Sequence, residues 1–241
     1  MNQKKQMNND DPLKKYLSES SKKYLSSMKE QYIFNNVPMF IQDDLFFLDN
    51  KSNIRDVIRI IEKNIPHAFA SVIDVIYIGD FIEFEKKETN AAYQDGAIYV
   101  INVQDNAEDM AEDIIHEMAH AIEEKYSNLV YGDGSVQREF LGKRERLYQT
   151  LKAYDEPLVN KEFFETPEYH PEFDMYLYKT IGYQKLQNYI NGLFYSPYAV
   201  TSIREYFARG FEAYFLHKNI KQLASVSPVL YNKIEQLAEM E

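Results

Sequence analysis

The 241-residue sequence predicts an α+β fold, with a small mixed sheet in its front half and a mainly helical back half. Three observations carry this. Two strand-sized runs rich in Ile and Val occupy 71–78 and 97–103. Apolar spacing typical of helices frames them at 52–65 and 107–126. Beyond 126 the pattern is almost entirely helical, punctuated by Pro157, Pro167, Pro171, Pro197 and Pro228.

Taken in order, residues 1–31 are polar and Lys- and Ser-rich, with sparse apolar positions (Leu13, Leu17, Tyr24, Leu25, Met28). They read as a frayed start leading into one amphipathic helix, so 1–50 is expected to be an arm and helix packed on a domain formed by 51–241. In 52–65, Ser52 or Asn53 caps a helix whose one face holds Ile54, Val57, Ile58 and Ile61, and Pro66 ends it. The run 71–78 reads as a buried strand closed by Gly79-Asp80. Asp95-Gly96 is a hairpin turn signal preceding the strand 97–103. Asp105 or Asn106 caps the helix 107–126, and Glu108 and Asp109 place negative charge at the positive end of its dipole. Further helices are expected at 135–153, 172–191, 201–218 and 228–240. No internal repeat or flexible linker divides the chain.

Composition narrows the function classes. Apolar residues make up 45% of the chain and aromatics 15%, enough for a sizeable core. The absence of cysteine excludes disulfides, Cys-based zinc fingers, iron–sulfur clusters and a thiol nucleophile, so any bound metal must use His, Asp or Glu. A net charge of −11 argues against a sequence-independent hold on nucleic acid. The one Lys-rich stretch (Lys4, Lys5, Lys14, Lys15, Lys22, Lys23) is better read as a solvated arm. The longest apolar runs are too short to span a membrane, and the first thirty residues hold no apolar signal-peptide core.

The chemistry concentrates in His116-Glu117-Met118-Ala119-His120. Residues four apart on an α-helix are separated by about 40° around its axis, so both imidazoles project from one face. Two imidazoles so placed can reach one Zn²⁺. Glu117 then lies beside the open coordination position, where it can take a proton from water held at the metal. The pattern also arises by accident. Here it sits mid-helix among Ile114, Ile115, Met118, Ala119 and Ile122, and it holds two of the chain's five His residues. A third protein ligand is needed, and the helix 201–218 offers Glu205 and Glu212, seven apart on one face. An ordinary Glu205–Arg209 surface pair is the plain alternative, and spacing does not choose between the two glutamates.

The stretch 116–124, His-Glu-Met-Ala-His-Ala-Ile-Glu-Glu, resembles the active-site helix of the anthrax lethal-factor-like zinc metallopeptidases, which are related to bacterial Pro-Pro endopeptidases. Glu205-Tyr206-Phe207-Ala208 is similar to that family's Glu-Phe-Phe-Ala, and Tyr198 lies seven residues earlier, where the family places a catalytic Tyr. The resemblance covers 105–126 and 196–216. It implies a zincin-like catalytic domain over 51–241, Glu205 as third zinc ligand beside His116 and His120, and Tyr198 as the hydroxyl that stabilises the oxyanion. It further implies one Zn²⁺ per chain, a polypeptide substrate and a secreted protein, with a cytoplasmic one as the alternative. Ala119 replaces the family's Gly, and Arg209 stands where an acid is expected. The long separation of His120 from Glu205 predicts a helical insertion at about 135–195. The resulting expectation is a zinc metalloendopeptidase with Glu117 as general base. Its rivals are a catalytically inactive lethal-factor-like module that binds a protein partner, and a zinc hydrolase acting on a non-peptide bond. An extended substrate would pair with a sheet edge, for which 97–103 is the candidate strand.

Overall fold

The computed structural model describes residues 29–42, 45–81, 84 and 89–240. The fold is mixed α+β, 57% helical, with a small mixed sheet. The helix expected within 1–28 lies outside the described residues; 29–31, assigned to the same arm, belong to a strand.

In chain order the strands are β1 (Lys29–Ile33), β2 (Val37–Ile41), β3 (Phe46–Phe47), β4 (Val75–Gly79), β5 (Ala91–Gln94), β6 (Ala97–Ile101) and β7 (Val103–Gln104). The α-helices are α1 (Ile54–Asn64), α2 (Ala107–Lys125), α3 (Ser127–Tyr131), α4 (Ser135–Ala153), α5 (Glu162–Glu165), α6 (Pro171–Met175), α7 (Tyr183–Tyr189), α8 (Ile203–Phe215), α9 (Ile220–Val226) and α10 (Pro228–Ala238). Short 3₁₀ helices cover His67–Val72 and Tyr198–Val200, and a π-helical turn covers Tyr176–Ile181. The described residues fall into two compact units, those of 29–62 with 70–117 and those of 63–69 with 118–240.

In the first unit a five-stranded sheet runs in the order β1-β2-β4-β6-β5. The inner pairs β2–β4 and β4–β6 are parallel, while β1–β2 and β5–β6 are antiparallel. Side chains alternate across the pleat: Ile76, Ile78, Ile98 and Val100 are fully buried on one face. On the other, Phe40, Tyr77 and Tyr99 stack across neighbouring strands at centroid distances of 5.7 and 5.3 Å. Asp95 (φ 48°) and Gly96 (φ 85°) turn β5 into β6 with both central residues left-handed, as a tight type I′ hairpin requires. This topology corrects the edge expected at 97–103. Strand β6 is bonded on both sides, and among the described residues the outer strands are β1 and β5. The run also breaks after Ile101, because Val103 and Gln104 leave for a separate parallel pairing with β3.

The helix expected at 52–65 forms as α1, with Val57 and Ile61 buried and Asn53 accepting the Arg55 amide. The strand expected from 71 begins later, at Val75, because 71 and 72 finish the 3₁₀ helix. The start of α2 is capped by Asn106, whose Oδ1 accepts the Asp109 amide at 2.9 Å while its Nδ2 donates to Asp109. The first of these bonds satisfies one of the amides that a helix start leaves unbonded.

In the second unit α4 and α8 meet in an aromatic core in which Tyr206 packs against Phe140 and Phe194 at 5.4 and 5.7 Å. Tyr206 also donates to Glu139 at 2.7 Å and accepts from the buried Lys143 ammonium at 2.6 Å. Glu139 in turn accepts the Val229 and Leu230 amides at the start of α10. Gly210 lets α8 approach α10: a Cβ there would lie 2.5 Å from Leu230. The helix expected at 172–191 is divided, since Gly182 adopts φ 82° and a new helix begins after it. No described helix is long and apolar enough to cross a membrane.

A Cβ on Gly96 would meet the Asp74 carboxylate at 2.4 Å, in addition to the strain of its positive φ. Gly96→Ala is therefore expected to lower stability by about 1–2 kcal/mol, measured by denaturant unfolding.

Candidate metal centre

Helix α2 carries the His-Glu-x-x-His stretch without a break. Its inner face is apolar, with Met110, Ile114, Ile115, Met118, Ala119 and Ile122 at 1% exposure or less, which fixes the helix's rotation about its axis. His116 and His120 consequently share a side. Helix α8 supplies Glu205 in its first turn, where the Ser202 hydroxyl accepts the Glu205 amide at 3.1 Å and caps the helix. The ligand atoms of His116, His120 and Glu205 all lie within 4.8 Å of one another. Glu212, the other candidate, is buried and bonded to Arg209 at 2.9 Å.

The surroundings of His120 test whether a cation fits. Its Nδ1 lies 3.4 Å from Glu123 Oε2 and its Nε2 lies 3.4 Å from Glu205 Oε1, with the ring 10% exposed. A neutral imidazole has one N–H to donate. If Nδ1 donates to Glu123, the Nε2 lone pair faces an oxygen lone pair of Glu205. Positive charge on that side, a proton or a metal ion, relieves the repulsion. With a second imidazole within reach, two nitrogens and a carboxylate form a donor set suited to Zn²⁺. The residues present fit the ion.

Glu123 follows His120 by three residues on α2. Its role lies behind His120. Burial alone would raise its carboxyl, but the His120 hydrogen bond, Arg204 at 3.1 Å and the Tyr131 hydroxyl together hold it below the ordinary range. It thus stays ionised and fixes the ring that it faces. The available signal was its position three residues after His120, one helical turn along the same face. Tyr131 and Arg204 come from other helices and left no signal of this kind.

Asp113 stands one turn before His116. Burial pushes its carboxyl up to about 6, against the opposing pull of the Gln104 amide at 3.0 Å and of His116. Tyr198 sits in the 3₁₀ turn before α8, with the Arg209 guanidinium 5.5 Å from its ring centre. Burial first, then the charges of Glu205, Asp174 and Tyr169, raise its hydroxyl above the ordinary value, with Arg209 opposing. The phenol therefore keeps its proton and remains a hydrogen-bond donor. Glu117 follows His116 directly on α2 and is half-buried.

The raised Asp113 carboxyl has a pH consequence in metal-free protein. The folded state holds this proton more tightly than the unfolded chain, so the contribution is complete below about 4 and is lost as pH rises through about 6. Asp113→Asn should remove the dependence. Relative to wild type it should gain stability between pH 4 and 7, by up to about 3 kcal/mol. Urea unfolding of both proteins across that range measures the gain, and parallel curves would show that Asp113 ionises normally. No family model, curated protein or solved structure matches the chain.

Proposed function

We propose that the chain is a zinc-dependent endopeptidase with a zincin-like, lethal-factor-like catalytic core. The observation that supports it most is His120 set between the carboxylates of Glu123 and Glu205, with His116 within ligand distance of the same point. His116, His120 and Glu205 would hold the ion. Bound there, zinc would polarise the scissile carbonyl and bring the pKa of a coordinated water down to about 7.

The chain's own groups then have separate tasks. Glu117 accepts the proton of the attacking water and returns it to the leaving amine. Tyr198, kept protonated by burial and neighbouring negative charge, donates a hydrogen bond to the oxyanion of the tetrahedral intermediate. Glu123 holds the His120 ring by its far nitrogen. A polypeptide substrate in extended form would add to the outer strand β5, the antiparallel member beside β6.

Metal analysis of protein purified without chelators should find about one zinc per chain. Glu117→Ala should keep the metal and lower cleavage of a peptide library by about 10²–10⁴-fold. Full activity in that variant would refute the assignment. Zinc binding with no cleavage by the wild type would favour the inactive binding module instead. Glu123→Ala should weaken zinc affinity by about 10–100-fold, read by competition with a chromogenic chelator.

A further inference from the structure

Arg144, on α4, is fully buried. An arginine has five N–H donors in a rigid planar fork, and here all five are used. Nε and Nη2 donate to the Val200 carbonyl at 2.8 and 2.6 Å, and Nη2 also donates to Thr201 at 2.6 Å. Nη1 donates to Phe163 at 2.9 Å and to the Thr166 carbonyl. The rings of Phe140 and Phe173 flank the guanidinium at 4.5 and 4.7 Å. Burial pushes its pKa down to about 9, against the pull of the Glu168 charge.

A guanidinium is costly to bury, and packing alone would be served as well by a methionine or leucine. What the fork adds is geometry. Its four acceptors belong to two chain segments, the end of α5 and the 3₁₀ turn with the residue after it. Val200 and Thr201 lie between Tyr198 and Glu205, immediately before the Ser202 cap of α8. The same two segments are joined once more by the Ile203 amide, which donates to the Pro167 carbonyl at 2.8 Å. Thr201 closes the turn with its hydroxyl on the Tyr198 carbonyl at 2.8 Å.

We propose that Arg144 is a positioning residue that fixes the Tyr198 phenol relative to Glu205 by clamping the main chain between them. The proposal rests on the zinc-peptidase reading of that pair. A lysine cannot replace the fork, because its ammonium offers three donors from one point. Arg144→Lys should preserve the core and loosen the clamp.

The test uses the full chain as wild type, Arg144→Lys, Tyr198→Phe and the double variant, with a fluorogenic peptide selected on the wild type. Arg144→Lys should still bind one zinc and lose about tenfold or more in kcat with KM within about threefold. In the Tyr198→Phe background the same change should cost less than about twofold, since its effect passes through the phenol. Amide exchange at Thr201 and Ile203 should accelerate while that of the α4 interior stays unchanged. Additive losses in the double variant, or unaltered exchange at those two amides, would overturn the proposal. If the wild type neither binds zinc nor cleaves, the zinc reading falls, and the exchange result alone decides whether Arg144 clamps this segment. Should Arg144→Lys fail to fold, Phe173→Leu, which removes one flanking ring, is expected to shift the same readouts in the same direction.

Discussion

The site turns on His120, whose ring is set between two carboxylates. His120 has a carboxylate at each ring nitrogen, and a neutral imidazole can satisfy only one of them. Buried groups at this distance interact strongly because little water screens them. The arrangement therefore favours a cation at the Nε2 side. Glu123 also has a lowered pKa in spite of its burial, so it does not relieve the conflict by taking up a proton itself. The three groups that hold Glu123 ionised (His120, Arg204 and Tyr131) transfer the demand for positive charge to the other face of the ring.

That demand explains why the packing around the site is so heavily specified. The apolar face of α2 sets the direction of both imidazoles, and the Ser202 cap fixes where the first turn of α8 begins. The Arg209–Glu212 pair keeps a second buried carboxylate bonded about two turns beyond Glu205. The Glu139–Tyr206–Lys143 network anchors α8 to α4 and α10 from the far side. Each of these contacts constrains an angle or a position, which the proposed metal site would need more than net stability, because ligand placement must hold to a fraction of an ångström.

The sequence disclosed the periodic parts. The helices at 54–64, 107–125, 135–153 and 228–238 follow from apolar spacing and caps, and the two glutamates of 203–215 from seven-residue spacing. Three kinds of feature stayed hidden. Strand β5 has only four residues, Ala91–Gln94, and lacks the Ile- and Val-rich run that marked β4 and β6, so this neighbour of β6 went unseen and β6 was taken for an edge. Gly182 takes a positive φ that divides an otherwise continuous helical pattern. Side chains that act on the main chain, such as Arg144 and Glu139, leave no spacing signal because their partners are carbonyls and amides far along the chain.

The insertion expected at 135–195 takes on a different meaning once its internal bonds are considered. Its helices are not a separate body within the second unit, for α4 carries both Glu139, which caps α10, and Arg144, which grips 200–201. The end of α5 is bound to the same guanidinium as the turn that holds Tyr198. Residues that lengthen the path from His120 to Glu205 thus also supply the restraints on its last part. A long connection has more freedom to lose on ordering than a short one, though the added cost grows only slowly with length. A buried five-bond clamp near its end is a direct means of restricting that freedom in the turn that carries Tyr198.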